Sequence, residues 1–327
     1  MESAGYLIFN ASSGSAGKMS PAQLLSLLPP STRLHEFQDG DNPVTLAEKA
    51  VSDGVAWIAV AGGDGTVEAV AGVLAGTDIP LGVITCGTYN NFAKSVGLPE
   101  DPAEAAKVIS SGATRRIDVG FVNDKPFFEA VGAGLDAAIF PMGEEIKSGG
   151  FWQWIELFKT AAKYPRQVFD ITLDRPFKEA LTKAASPPRP SRSWRSWFKK
   201  AQTHRVRLRA LMVTVSNGPL YGANFAVAPD ARIDDGKLTL TIFKKYNKWE
   251  LWWHFFSISS GRRVYAPRVV TLNASTVTLG GPRPLDAHKD GAKLDEWPLN
   301  LELKTKHLLV FGSEPNDASG DKQAASA

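Results

Sequence analysis

The sequence predicts two domains of different class: an α/β domain on a parallel sheet, then an antiparallel, β-sandwich-like domain. Three observations predict this. The chain has 327 residues, which at roughly 150 residues per domain suggests two. Through residue 116, short apolar runs alternate with helix-period segments, the signature of βαβ units. From Ile117 onward strands follow strands, which describes antiparallel order.

In the first domain, residues 1–116, the expected strands are 6–9, 34–37, 57–60 and 81–84. The expected helices are 21–28, 44–52, 66–74 and 102–110. Asp101, Pro102 and Glu104 form an N-cap, a proline at the first helical position and an acidic first turn. In the second domain, residues 117–312, strands 117–122 and 127–131 flank Asn123-Asp-Lys-Pro as a hairpin. Further strands are expected at 169–173, 205–215, 237–243, 269–272, 277–279 and 299–303, the last free to return to the first domain. Residues 176–209 read as a basic inserted loop. The small, polar tail 313–327 reads as disordered.

Composition narrows the function. Hydrophobic residues are 43% and charged residues 22%, which excludes a disordered or collagen-like chain. No apolar run approaches the roughly 18 residues of a bilayer span, and the N-terminus lacks a basic signal-peptide region. The expectation is a cytoplasmic protein. The single cysteine, Cys86, excludes an intramolecular disulfide and a Cys-based zinc site. A net charge of +3 is too small for a general nucleic-acid binder. The five histidines show no metal-ligand spacing and read as structural or surface residues.

The most informative string is Gly62-Gly63-Asp64-Gly65-Thr66-Val-Glu68, where a buried strand runs into a helix. Glycines let the backbone turn and approach a ligand closely, and a helix N-terminus favours phosphate. Asp64 is suited to Mg²⁺ or to polarising a hydroxyl. The plain alternative is a glycine-rich turn with Asp64 as its N-cap. A Walker A loop is excluded, because Met19 follows Gly17-Lys18. A dinucleotide G-x-G-x-x-G is excluded, because Glu68 holds its last glycine position. Gly87-Thr88-Tyr-Asn90-Asn91-Phe92-Ala93 and Asn10-Ala-Ser-Ser13-Gly14 follow two more strands. Three such loops at one sheet edge make a ligand site.

Gly62–Thr66 together with Gly87-Thr88-x-Asn90-x-Phe92-Ala93 resembles the catalytic domain of diacylglycerol and sphingosine kinases, in particular the bacterial soluble lipid kinases. Asp118-Val-Gly120, Gly132-x-Gly134-x-Asp136, Ser216-Asn217-Gly218 and Ala228–Leu238 extend the resemblance over residues 4–312. It implies an ATP- and Mg²⁺-dependent lipid kinase with a nucleotide-binding α/β domain and a β-sandwich-like lipid domain. Asn10, Ser13, Gly14, Gly62, Gly63, Asp64, Gly65, Thr66, Glu68, Gly87, Thr88 and Asn90 would line the nucleotide. Asp64 and Asp118 would join an acidic, Mg²⁺-linked network. Asp235, with the carbonyls of Arg232 and Lys237, would match a structural Mg²⁺ site, against the plain reading of a turn before a strand.

Two positions depart from the family pattern. Asn91 stands where Asp is usual, and an amide brings no charge to a metal network. Ala292 stands in Asp290-Gly291-Ala292 where the family has its glutamate base. Three readings follow: an impaired site, another carboxylate such as Asp290, Asp295 or Glu296, or transfer that needs little base. A lipid substrate implies peripheral association with the inner face of a membrane. Residues 249–257, aromatic with basic flanks at Lys244, Lys245, Lys248 and Arg262-Arg263, and residues 194–200, which mix tryptophan with lysine and arginine, suit an anionic leaflet, although core packing is the favoured reading of the first. Phosphorylation of a soluble acceptor, as in NAD kinases, and a nucleotide- or lipid-binding regulator are the alternatives. Homodimerisation through a sheet edge is open.

Overall fold

The computed structural model describes residues 4–10, 19–138, 159, 163–182, 202–222, 226–244 and 269–313. The chain divides into two compact units, Met1–Ile117 with His307–Ala327, and Asp118–Lys306.

The first unit contains β1 (Gly5–Phe9), α1 (Pro21–Leu27), β2 (Arg33–Glu36), α2 (Pro43–Ser52), β3 (Trp57–Gly62), α3 (Asp64–Leu74), β4 (Leu81–Thr85), α4 (Asn91–Val96) and α5 (Pro102–Ser110). The strands are parallel in the order β2-β1-β3-β4. β3 and β4 are apolar along nearly their whole length and almost fully buried, as strands covered on both faces must be. Local sequence starts three of the helices. Ser20 and Gln23 close a capping box on α1, Asn42 caps α2, and Asp101 accepts from Ala103 and Glu104 on α5. Each is followed by proline at the first helical position. Leu7, Phe9, Leu24, Ala59, Ile84 and Ile109 share one core.

The second half adds β5 (Thr114–Val122), β6 (Lys125–Phe127), β7 (Ala130–Gly134), β8 (Gln167–Leu173), β9 (Arg205–Ala210), β10 (Met212–Ser216), β11 (Leu238–Phe243), β12 (Val269–Ala274), β13 (Thr276–Gly280), β14 (Ala287–Lys289), β15 (Ala292–Leu294) and β16 (Leu299–Phe311). One antiparallel sheet of the second unit runs β12-β11-β10-β7-β14-β15. Against it packs the antiparallel set β16-β13-β8-β9. Val131, Val213 and Leu240 of the first meet Phe169, Ile171, Leu279 and Leu301 of the second in one core. The expected α/β plus β-sandwich-like architecture is present.

Three strands differ from expectation. Residues 205–215 form two strands in different sheets, broken at Leu211, whose N–H bonds to Phe243 O. Residues 127–131 likewise divide between β6 and β7. β16 continues to Phe311, and its end pairs Val310 with Leu81 in parallel. Lys306, at φ 50°, bends it midway. In the 176–209 stretch, Phe177–Ala180 is a helical turn and Arg205 begins β9. Residues 194–200 and 249–257 lie outside the described residues, as does the tail from 314. No helix among the described residues is long and apolar enough to cross a membrane.

The expected hairpin at Asn123 is present. Asn123 and Asp124 both take positive φ, 44° and 64°, as a tight two-residue turn requires. It sets Gly120 opposite Phe127, where an added Cβ would lie 2.3 Å from the ring. Gly120→Ala is therefore expected to lower stability by about 1–3 kcal/mol, measured by urea unfolding, and Phe127→Leu is expected to recover part of that loss.

Candidate functional site

At the carboxyl end of β3 the backbone passes through Gly63, the N-cap of α3, which makes no side-chain capping bond. The helix starts at Asp64 rather than Thr66. Its first turn therefore offers amide N–H groups and the positive dipole end without a side-chain cap. Gly65, second in the helix, is exposed, and a Cβ there would meet nothing within 4 Å among the described residues. Packing against those residues thus gives no reason for glycine at 65.

Gly87 differs. A Cβ on it would stand 2.7 Å from Gly63 Cα and 2.8 Å from Asn90 Oδ1, so only glycine lets the β3–α3 and β4–α4 loops meet. Asn90 sits in the left-handed region at φ 53°. Its Oδ1 accepts from Gly87 N at 2.9 Å, and its Nδ2 donates to Gly87 O at 3.2 Å. With its side chain so engaged, Asn90 makes no capping bond to α4. Asp64 supplies the cap instead. Its Oδ1 accepts from Phe92 N at 3.1 Å, and the Asn90 and Asn91 amides also donate to it. Burial pushes the Asp64 pKa up, while these amides and the Lys94 charge pull against the rise.

Asn10 completes the group, donating from Nδ2 to Thr66 Oγ1 at 3.1 Å. Asn10, Gly62, Gly63, Asp64, Gly65, Thr66, Glu68, Gly87, Thr88 and Asn90 therefore cluster at the carboxyl ends of β1, β3 and β4. Open α/β sheets bind ligands there. Thr88 is exposed, and Glu68 and Asn90 are half-buried. Ser13 and Gly14 lie outside the described residues.

The other expected residues belong to the second unit. Asp118 is buried; Oδ2 accepts from Gly236 N at 2.7 Å and Oδ1 from Lys306 N at 2.8 Å. It fastens two left-handed residues, Gly236 at φ 71° and Lys306. Asp235 Oδ1 accepts from Lys237 N at 3.2 Å. Burial raises the Asp235 pKa; Lys237 opposes this and the charges of Asp118 and Asp234 add to it. Arg232 pairs with Asp234 through Nε at 3.0 Å. No group of three or more His, Cys, Asp or Glu side chains among the described residues is placed to hold a metal.

Asp290 and Gly291, at φ 45° and 85°, form the tight turn between β14 and β15. Asp290 accepts from Phe128 N at 2.9 Å and from Glu129 N and Ala130 N at 3.0 Å each. Those bonds occupy three of about four acceptor sites on a carboxylate. Burial raises its pKa against the pull of these amides and Lys289. Asp295 pairs with Lys293 at 2.8 Å and Glu296 with Lys125 at 2.6 Å, and both carboxyls are held below the usual range by these lysines. His288, expected to be structural or at the surface, is buried beside Asp136 and Tyr221.

A family model described as the diacylglycerol kinase catalytic domain matches residues 4–122. A second, described as the YegS C-terminal NAD kinase beta sandwich-like domain, matches residues 195–312. A diacylglycerol kinase of Mycobacterium tuberculosis (strain ATCC 25618 / H37Rv) is 27% identical over 274 residues, 81% of this chain and 80% of that protein. One of Staphylococcus aureus (strain Newman) is 27% identical over 278 residues, 83% and 78%. A crystal structure of a diacylglycerol kinase from Bacillus anthracis str. Sterne shares the fold, with a TM-score of 0.66 at 19% identity over 95% of this chain and 97% of that one.

A folded-state pKa above the unfolded value means that the folded protein binds the Asp64 proton more tightly. This group's contribution to stability therefore falls as pH rises from about 4 through the folded pKa. Asp64→Asn keeps an oxygen for the α4 amides and removes the buried charge. It is expected to melt at or above the wild-type temperature at pH 7, with a smaller advantage at pH 4, in parallel thermal scans.

Proposed function

The chain belongs to the diacylglycerol-kinase-like superfamily, and from that premise we propose that it is an ATP- and Mg²⁺-dependent lipid kinase. It transfers the γ-phosphoryl group to a hydroxyl of diacylglycerol, a sphingoid base or a related lipid at the inner face of the membrane, as a peripheral cytoplasmic enzyme. The observation that carries this reading is Gly65. Glycine within a helix costs about 0.5–1 kcal/mol against alanine, and no packing neighbour among the described residues requires it. A phosphate resting on the first turn of α3 does require it, because a β-carbon would hold the oxygens away from the amides.

The remaining residues act around that anchor. Asp64 holds the α4 loop against the α3 N-terminus, so that Thr88 and the α3 amides keep one arrangement. Preorganisation of this kind suits phosphoryl transfer, which depends on positioning and electrostatics. Asp235, with Asp118 and Asp234 raising the local negative charge, suits a cation, and the resemblance adds the Arg232 and Lys237 carbonyls. Bound Mg²⁺ supplies neutralisation of phosphate charge. Ala292 supports the second reading, an impaired homologue, since loss of a positioned base costs about 10²–10⁴-fold in rate.

Radiolabelled ATP with Mg²⁺ and mixed total-lipid vesicles tests the proposal. Wild type is expected to label a lipid. Gly65→Ala is expected to raise the melting temperature by a few degrees and yet raise KM for ATP about tenfold, near 1.4 kcal/mol. A raised melting temperature with an unchanged KM, or a raised KM that only accompanies a lowered melting temperature, would place Gly65 in the fold alone. NAD phosphorylation without lipid labelling would move the chain to the soluble-acceptor class. Separately, Mg²⁺ is expected to raise the melting temperature of wild type and not of Asp235→Asn.

A further inference from the structure

The second unit carries a concentration of positive charge that the reaction proposed above does not use. Between Glu179 and Asp230 the sequence has nine lysines and arginines and no aspartate or glutamate. The whole chain is only +3, so the rest of it is net negative. A surface built for solubility alone intersperses both signs. Three of the nine cations, Arg205, Arg207 and Arg209, lie in β9.

β9 is the last strand of its sheet among the described residues. Its side chains alternate, with Val206 and Ala210 buried and the three arginines exposed. Successive arginines therefore stand on one face about 6.6 Å apart. Their cross-strand partners on β8 are Thr172, Asp170 and Val168. Thr278 and Gly280 of β13 follow on the same face, and then Asn300 of β16. Beside the row the face is thus low, and Asp170 is the one carboxylate among these residues. Arg207 holds it through Nε at 2.6 Å and Nη2 at 2.7 Å, and Arg205 Nη2 lies 3.5 Å from it. That pairing takes two of the five N–H donors of Arg207. The Arg205 and Arg207 side chains remain 68% and 65% exposed. Arg209 stands opposite Val168, with no acidic partner among the described residues. One carboxylate against three guanidiniums leaves the row positive.

The plain alternative is edge protection, since charges on an outer strand discourage another strand from pairing there. Charge of either sign does that, and lysine is the usual choice. Three arginines of one sign fit a different task, because a guanidinium meets phosphate oxygens through parallel N–H groups. Nucleic acids also offer phosphates. Proteins that hold single strands add aromatic rings for the bases to stack on, and Val168, Thr172, Thr278, Gly280 and Asn300 supply none. A planar array of lipid headgroups asks only for a flat cationic face.

We propose that the arginine row of β9 is a docking surface for the phosphate headgroups of an anionic bilayer; the choice of a bilayer rests on the kinase reading, in which the acceptor lies in a membrane. The face of β9 and β8 approaches the headgroups, and the guanidiniums donate to phosphate oxygens. The row holds the protein at the surface and takes no part in the chemistry. Salt releases it, because such attraction falls off within a Debye length.

The test is sedimentation of the full chain with vesicles of phosphatidylcholine alone, or of phosphatidylcholine with phosphatidylglycerol, at low and high salt. The row variant carries Arg205→Gln, Arg207→Gln and Arg209→Gln. The control carries Arg33→Gln, Lys49→Gln and Lys107→Gln, which removes the same charge from exposed positions of the first unit. Wild type is expected to bind the anionic vesicles only and to leave them at high salt. The row variant is expected to lose about fivefold in affinity per arginine, about a hundredfold in all, and the control only a few-fold. On lipid in neutral detergent micelles the row variant is expected to keep the wild-type kcat. Absent wild-type binding, full binding by the row variant, or an equal loss in the control overturns the proposal. Tighter wild-type binding to a single-stranded oligonucleotide, lost in the row variant, overturns the bilayer in favour of nucleic acid. Should circular dichroism show the row variant unfolded, Arg209→Glu decides, since it leaves the Asp170 pairs in place. Its expected loss is about 25-fold, and unchanged affinity overturns the proposal. Lipid labelling by a wild type that binds no anionic vesicle overturns this proposal alone. Binding to anionic vesicles with no lipid labelled overturns the kinase reading and supports the docking surface.

Discussion

α4 has no cap of its own, and the geometry of the whole loop cluster follows from how that deficit is met. Asn90 is spent on Gly87, in a left-handed conformation that closes the turn after β4. The first amides of α4 then face Asp64, the first residue of a different helix. One carboxylate thereby joins the ends of β3 and β4, and Gly87 keeps them at contact distance from Gly63. A ligand at the α3 N-terminus meets loops already fixed with respect to each other, so less conformational entropy is lost on binding.

The same device recurs in the second unit. Asp118 gathers the amides of Gly236 and Lys306, and Asp290 those of Phe128, Glu129 and Ala130. In each case the carboxylate lies beside backbone in the left-handed region, where regular sheet pairing stops and amides would otherwise be stranded. Charge-assisted bonds to amides are among the stronger ones available. These carboxylates are therefore first a way of holding backbone amides where the chain turns out of regular pairing. Chemistry at such positions has to be argued from what remains of the carboxylate after its amides are counted.

This explains which parts of the molecule were legible in the sequence. The parallel half was, because Ser20, Asn42 and Asp101 are local caps followed by proline and β1, β3 and β4 are largely apolar runs. α4 was not: six residues long and capped from 28 positions away, it leaves no local signal. Strand changes at Leu211 and between Phe127 and Ala130 were illegible for a related reason. Alternation continues through them while the partner changes, and partners are tertiary information. The glycine loops could be read from residue order, whereas in the second unit the pairing of His288 with Asp136 joins residues 152 positions apart.

Asn91 fits the same electrostatic logic. It is buried, and its N–H faces the Asp64 carboxylate. An aspartate at 91 would set a second carboxyl near one whose pKa burial already raises. Two like charges in a desolvated site oppose each other's ionisation, and a bound cation is the usual remedy. With an amide at 91 the loop junction holds a single carboxylate, balanced by three amides and Lys94. Asp64 then holds the α4 amides without a second carboxylate beside it. In the kinase reading proposed above, that assigns Asp64 to organising backbone and leaves the attraction for phosphate to the α3 amides beside Gly65.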